Sequence, residues 1–95
     1  MKTAILLHLY YQDLWPWFRV RLKPILDENT HLYVTVVEDK TPQIRSIREY
    51  STEVFVVENR GTDVAPFLYA HNQIKDKGYK VFTKLHGKKS KHNRS

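Results

Sequence analysis

The stretch Val54-Phe-Val-Val-Glu-Asn-Arg-Gly-Thr-Asp-Val-Ala-Pro-Phe67 decides the fold of this chain. A run of β-branched and aromatic residues stops at a polar turn around Gly61, and apolar residues at helical spacing then follow at Val64, Phe67, Leu68 and Ile74. The order predicts a strand, a turn and a helix. Gly61 supplies a positive-φ conformation for the turn, and Thr62 or Asp63 serves as N-cap. The first N–H groups of such a helix lack intrahelical partners and lie at the positive end of its dipole, so an anion can bind there, with Asn59 and Arg60 as further donors. Asn59 and Arg60 equally fit a solvated turn.

The same alternation continues on both sides of this junction. Ala4 to Tyr10 is almost continuously apolar, as expected of a strand covered on both faces. Asp13 then caps a helix carrying Leu14, Trp17, Phe18, Leu22 and Ile25, with Pro16 tolerated in its first turn and Pro24 bending or ending it. Leu32 to Val37 is the second strand, and Thr41 and Pro42 open a short helix presenting Ile44, Ile47 and Tyr50. Gly78 terminates the third helix, and Tyr79 to Leu85 forms the fourth strand. The result is an α/β chain with a mostly parallel four-stranded sheet of order 3-2-1-4 and helices on both faces, three layers in all, of Rossmann-like type. Strand four lies at an edge. The expected organisation is a single domain over 1–86 and a basic tail over 87–95, with the sheet forming part of a larger domain or a minimal version of one.

The 95 residues contain no Cys, which excludes disulfides and Cys-based metal or redox sites and suits a reducing, cytoplasmic compartment. The first residues, Met1-Lys-Thr-Ala-Ile-Leu-Leu-His8, read as a strand and not as a signal peptide. The net charge of +6 is unevenly placed: from Asp76 onward there are seven bases and one acid, while the preceding residues balance nine bases with nine acids. A basic end of this kind attracts phosphates, nucleic acid or acidic lipid. Trp15, Trp17 and Phe18 most simply pack the core, with one Trp available for sugar stacking or for peripheral contact at the inner face of a membrane. His8, inside an apolar strand, reads as a hydrogen-bonded core residue.

In an open parallel sheet the ligand crevice lies beyond the carboxyl ends of the strands. Those ends collect Tyr10 and Tyr11, then Glu38 and Asp39, then Glu58, Asn59, Arg60, Gly61 and Asp63, and finally Lys84, His86, Lys88 and Lys89. Acids come from strands two and three, bases from three and four. A nucleoside diphosphate needs that division, with acceptors for base or ribose and cations for the phosphates.

With these segments placed, the chain resembles the rhamnan synthesis protein F family, which is associated with rhamnose-containing bacterial cell-surface polysaccharides. The resemblance is carried by His8-Leu-Tyr-Tyr11 with Asp13-Leu-Trp15, by Val57-Glu-Asn-Arg-Gly-Thr-Asp-Val-Ala-Pro-Phe-Leu68, and by Lys84-Leu-His-Gly-Lys-Lys-Ser90. Family members are usually longer, so it covers an N-terminal portion. More broadly the chain is similar to the nucleotide-sugar half of inverting GT-A glycosyltransferases, in which acids ending the second strand touch the nucleoside and an Asn-Arg-Gly turn opens the third helix. The likeness implies a nucleotide-sugar donor such as deoxythymidine-diphosphate rhamnose, bound by Tyr10, Glu38, Asp39, Asn59, Arg60, Gly61, Asp63, Lys84, His86, Lys88 and Lys89. It also implies, for a full-length enzyme, a polysaccharide or lipid-linked acceptor. The Asp-x-Asp pair that holds a divalent metal in that fold is replaced by Lys84-Leu-His-Gly-Lys-Lys89, so no metal cofactor is expected, and His86, Lys88 and Lys89 would neutralise the leaving diphosphate electrostatically. No residue stands out as the general base.

Two other function classes stay open from the sequence. A nucleic-acid-binding module would use the basic end and lose affinity steeply with salt, although the bases do not interleave with aromatics. A non-catalytic α/β scaffold would bind neither ligand, and the edge strand offers a route to oligomers.

Overall fold

The computed structural model describes residues 2–58 and 64–86. Four strands, β1 (Thr3–His8), β2 (Thr30–Val36), β3 (Glu53–Val56) and β4 (Val81–His86), alternate with three helices, α1 (Trp15–Leu22), α2 (Ile44–Tyr50) and α3 (Val64–Ile74). The sheet is parallel throughout, in the order β3-β2-β1-β4. Its register aligns Thr3 with Thr30 and Val81, and His8 with Thr35 and His86.

Handedness explains where the helices lie. The crossovers from β1 to β2 and from β2 to β3 step in one direction across the sheet, so right-handed connections put α1 and α2 on the same face. The crossover from β3 to β4 steps back past β2 and β1, which sends α3 to the opposite face. Period-two alternation along β1 and β2 feeds both layers. Ile5, Leu7, Leu9, Leu32, Val34 and Val36 pack against Trp15, Leu22 and Ile47, while Ala4, Leu6 and Tyr33 pack with Phe55 against Phe67, Ala70, Ile74 and Tyr79. β1 and β2 are central and buried on both faces, as their continuous apolar sequence requires. β4 is a half-exposed edge strand, with Phe82 and Lys84 towards α3 and Leu85 towards the other core.

The element boundaries depart from expectation where side chains find tertiary partners. The first helix is not capped by Asp13: a 3-10 turn over Gln12–Leu14 precedes it, and Leu14 occupies the N-cap without a side-chain bond. Pro16 does sit in the first turn. The second helix starts at Ile44 with Gln43 as N-cap, because the Thr41 hydroxyl is bonded elsewhere. The third helix stops at Ile74, and Gly78, at φ 90°, turns the chain four residues further on. Tyr79 lies ahead of β4 and packs in the α3-side core. Of the two tryptophans, Trp15 is buried and donates its indole N–H to Ser46 Oγ at 2.8 Å, whereas Trp17 is 54% exposed. Ile25, expected on the apolar face of the first helix, lies beyond its end and is 50% exposed.

Candidate functional site

Beyond the carboxyl ends of β1 and β2 lies a cleft of about 510 Å³, lined by Tyr10, Tyr11, Gln12, Glu38, Thr41 and Pro42 among others. Its volume falls within the range of small-molecule sites. The walls come from the two loops that leave adjacent parallel strands and climb to helices on the same face. Tyr10 and Tyr11 meet edge to face, with centroids 4.7 Å apart, so each ring orients the other.

Gln12 ties the two loops together. Its Nε2 donates to the Glu38 carbonyl at 2.5 Å, and its Oε1 accepts from the Thr41 hydroxyl. Because a hydroxyl faces one amide atom and a carbonyl the other, the amide has one satisfying orientation. The clasp joins residues 26 and 29 positions apart and fixes the spacing of the cleft walls. Neither Gln12 nor Thr41 is among the site residues expected from sequence, where Thr41 reads as a helix cap. The available signal was that Gln12 directly follows the two tyrosines at the end of the first strand, where a polar side chain must face either the cleft or solvent.

The expected site residues do not all converge. Tyr10 and Glu38 line the cleft. Asp39 turns away to Arg48 on α2, with its carboxylate 3.5 Å from the guanidinium in an exposed ion pair. Lys84 and His86, on β4, both contact the Phe67 ring: the ammonium lies 5.5 Å from the centroid, and the imidazole meets it edge-on at 5.0 Å. His8 sits between the two groups in the sheet, 5% exposed, with Nδ1 2.9 Å from Thr35 Oγ1 and its ring against Phe67. It is the hydrogen-bonded core residue that its apolar strand predicted. Asn59, Arg60, Gly61, Asp63, Lys88 and Lys89, and with them the expected helix-start anion site and basic loop, lie outside the described residues. Among the described residues, no three His, Cys, Asp or Glu side chains gather as metal ligands.

A second polar cluster occupies the amino end of the sheet on the α3 face. The Tyr33 and Tyr79 hydroxyls are 2.8 Å apart, Tyr79 Oη lies 2.6 Å from His31 Nδ1, and His31 Nε2 lies 2.9 Å from the Glu28 carbonyl. A carbonyl only accepts, so Nε2 is the donor in that bond. With the ring proton on Nε2 alone, Nδ1 accepts from the Tyr79 hydroxyl, whose oxygen in turn accepts from Tyr33. Burial, then the Tyr79 bond and charge, and then the nearby Glu53 hold the Tyr33 phenol well above its ordinary pKa.

A four-stranded parallel sheet of order β3-β2-β1-β4 with helices on both faces and a cleft at its carboxyl edge defines an open, Rossmann-like α/β class of domain. Sequence comparison gives the particular family: the chain matches rhamnan synthesis protein F over residues 1–95 and belongs to that family. It is also 33% identical over 96 residues to the "Uncharacterized protein WxcX" of two strains of Xanthomonas campestris pv. campestris. The match covers 96% of this chain and 13% of the relative, so the chain spans about an eighth of the length of the curated relatives it matches. No solved structure matches it.

Proposed function

We propose that this chain is a nucleotide-sugar-binding half-domain of glycosyltransferase type serving the rhamnan synthesis to which its family belongs. The observation that carries the proposal is the Gln12-braced cleft at the carboxyl edge, formed by the loops after two central parallel strands. Tyr10 and Tyr11 provide a face for a base or sugar ring, and Glu38 an acceptor for ribose hydroxyls. On β4, beside β1, Lys84 would supply a cation and His86, at the strand's carboxyl end, an imidazole donor for the diphosphate. Charge preorganised at a leaving diphosphate stabilises the transition state where it develops. Acceptor binding and the base that removes the acceptor proton are assigned to other parts of a longer protein, in keeping with the small share of the relatives that the chain spans.

The test is an NMR titration of the chain with deoxythymidine, uridine and guanosine diphosphates, with and without magnesium. Shifts are expected at Tyr10 to Asp13, Glu38 to Gln43, Asn59 to Asp63 and His86 to Lys89. Saturating nucleotide with no shifts in these segments overturns the proposal.

A further inference from the structure

α1 has apolar residues on both of its faces. Trp15, Leu22 and the half-buried Phe18 pack inward, while Trp17 and Val20 are 54% and 63% exposed and Ile25, just beyond the helix, is 50% exposed. Trp17, Val20, Arg21 and Pro24 fall at the i, i+3, i+4 and i+7 spacing of one outer stripe. Arg21 lies in that stripe, Arg19 and Lys23 flank it, and no acid lies between Trp15 and Leu26. The Arg21 guanidinium is 3.7 Å from the Trp17 ring centroid and donates to the Trp17 carbonyl at 3.0 Å, so cation and indole form one fixed unit. Arg19 and Lys23, one turn apart, border an open groove with Val20, Pro24 and Tyr50. Among the described residues none of the three bases is ion-paired to an acid.

We propose that this outer face of α1 docks on an anionic phospholipid surface, with Trp17, Val20 and Ile25 entering the headgroup layer and Arg19, Arg21 and Lys23 meeting lipid phosphates. The charge pattern selects this occupant. An indole with its ring in apolar surroundings and its edge wet belongs at a membrane interface, and exposed aliphatic and aromatic area edged by bases binds there through apolar burial together with attraction to anionic lipid. A nucleic acid would gain stacking from Trp17 but nothing from Val20 and Ile25. A protein partner would have to cover three unpaired cations, a type of residue generally depleted from interface cores apart from Arg. The outer face of α3 makes the contrast: Val64, Leu68 and Tyr69 are exposed there, and no Lys, Arg, Asp or Glu occurs in the helix. Among the described residues no helix is long and apolar enough to cross a membrane, so the contact is one of lying on the surface. The proposal stands independently of donor binding at the carboxyl edge.

Flotation of the full chain with vesicles tests it. Vesicles of phosphatidylcholine with one third phosphatidylglycerol should carry the protein, and phosphatidylcholine alone should not. Each base contributes roughly fivefold to partition, so Arg19→Gln with Lys23→Gln should weaken binding by about twenty-five-fold. Lys88→Gln with Lys89→Gln controls for the basic end and should cost less. Trp15 is buried and Trp17 exposed, so brominated lipid should quench the emission lost in Trp17→Ala. Arg19, Lys23 and Trp17 are all exposed, so the α1 variants leave the thermal midpoint in place. Failure to float, flotation unaffected by the α1 variants, or an unquenched Trp17 in vesicle-bound protein overturns the proposal. So does a concentration-dependent dimer that buries Trp17, or tighter binding to oligonucleotides at matched salt.

Discussion

At the amino end of the sheet, Tyr33, Tyr79 and His31 bond to one another and to the Glu28 carbonyl; at the carboxyl end, Tyr10, Tyr11, Gln12 and Glu38 surround an open cleft. Similar side chains, tyrosines beside other polar groups, are spent in opposite ways. In the first cluster each donor meets an acceptor inside the protein, with Tyr33 2% exposed, so the network contributes to stability and to a unique packing of the α3-side core. In the second, Tyr10 and Tyr11 are each 37% exposed, and the internal bonds of Gln12 hold the walls apart. A closed, buried network reads as structure, and an exposed cleft braced by the Gln12 clasp reads as a site.

The comparison breaks most directly at Tyr33. Tyr33→Ala should cost about 3–5 kcal/mol, measured by chemical denaturation, since it empties a large buried site stacked on Phe55. Nucleotide shifts at the carboxyl end should persist in the protein that remains folded. Tyr79→Phe removes only an oxygen and should cost about 1–3 kcal/mol, because His31 Nδ1 and the Tyr33 hydroxyl are left without their partner. At the other end the outcome reverses. Gln12→Ala should weaken nucleotide binding about tenfold by calorimetry and change stability by less than about 1 kcal/mol, because it frees the cleft walls without opening the core.

Alkaline pH gives a smaller and signed effect. The folded protein keeps the Tyr33 proton where the unfolded chain, titrating near pH 10, has lost it, so the folded state binds more protons there. The Tyr33 contribution is fully present below about pH 10 and is lost as pH rises towards the folded pKa. The difference in stability between the wild type and Tyr33→Phe should therefore shrink by about 1 kcal/mol between pH 9 and 11. The smallest effect is expected at Asp39, whose exposed pairing with Arg48 is of the kind that contributes little. Asp39→Asn should shift stability by less than about 0.5 kcal/mol and nucleotide affinity by less than twofold, a result that would separate Asp39 from its neighbour Glu38.

The strands and their order were legible because β1 and β2 are buried on both faces and therefore continuously apolar, and because helices between strands leave right-handed parallel crossovers as the consistent topology. Helix starts were less legible. Asp13 and Thr41 are good caps in isolation, but Asp13 falls in a 3-10 turn and Thr41 binds Gln12. Local propensity gave way to a hydrogen bond formed across 29 residues. Trp15 and Trp17 are two positions apart and so point to different sides of a helix; helical spacing put Trp17 on the apolar face, whereas the folded chain buries Trp15 and leaves Trp17 54% exposed. In the site, Tyr10 and Glu38 followed from the rule for strand ends, whereas the clasp of Gln12 and Thr41 required knowing how far apart two loops stand.

Pattern along the chain therefore settled the class of this protein, its parallel order and the edge at which the cleft opens, since burial and chain connectivity act on stretches of residues and leave a periodic trace. Which side chains face the cleft, which pair among themselves and which Trp remains in solvent were decided only on folding. Those outcomes depend on distances of a few ångströms between residues far apart in sequence, and no local pattern records them.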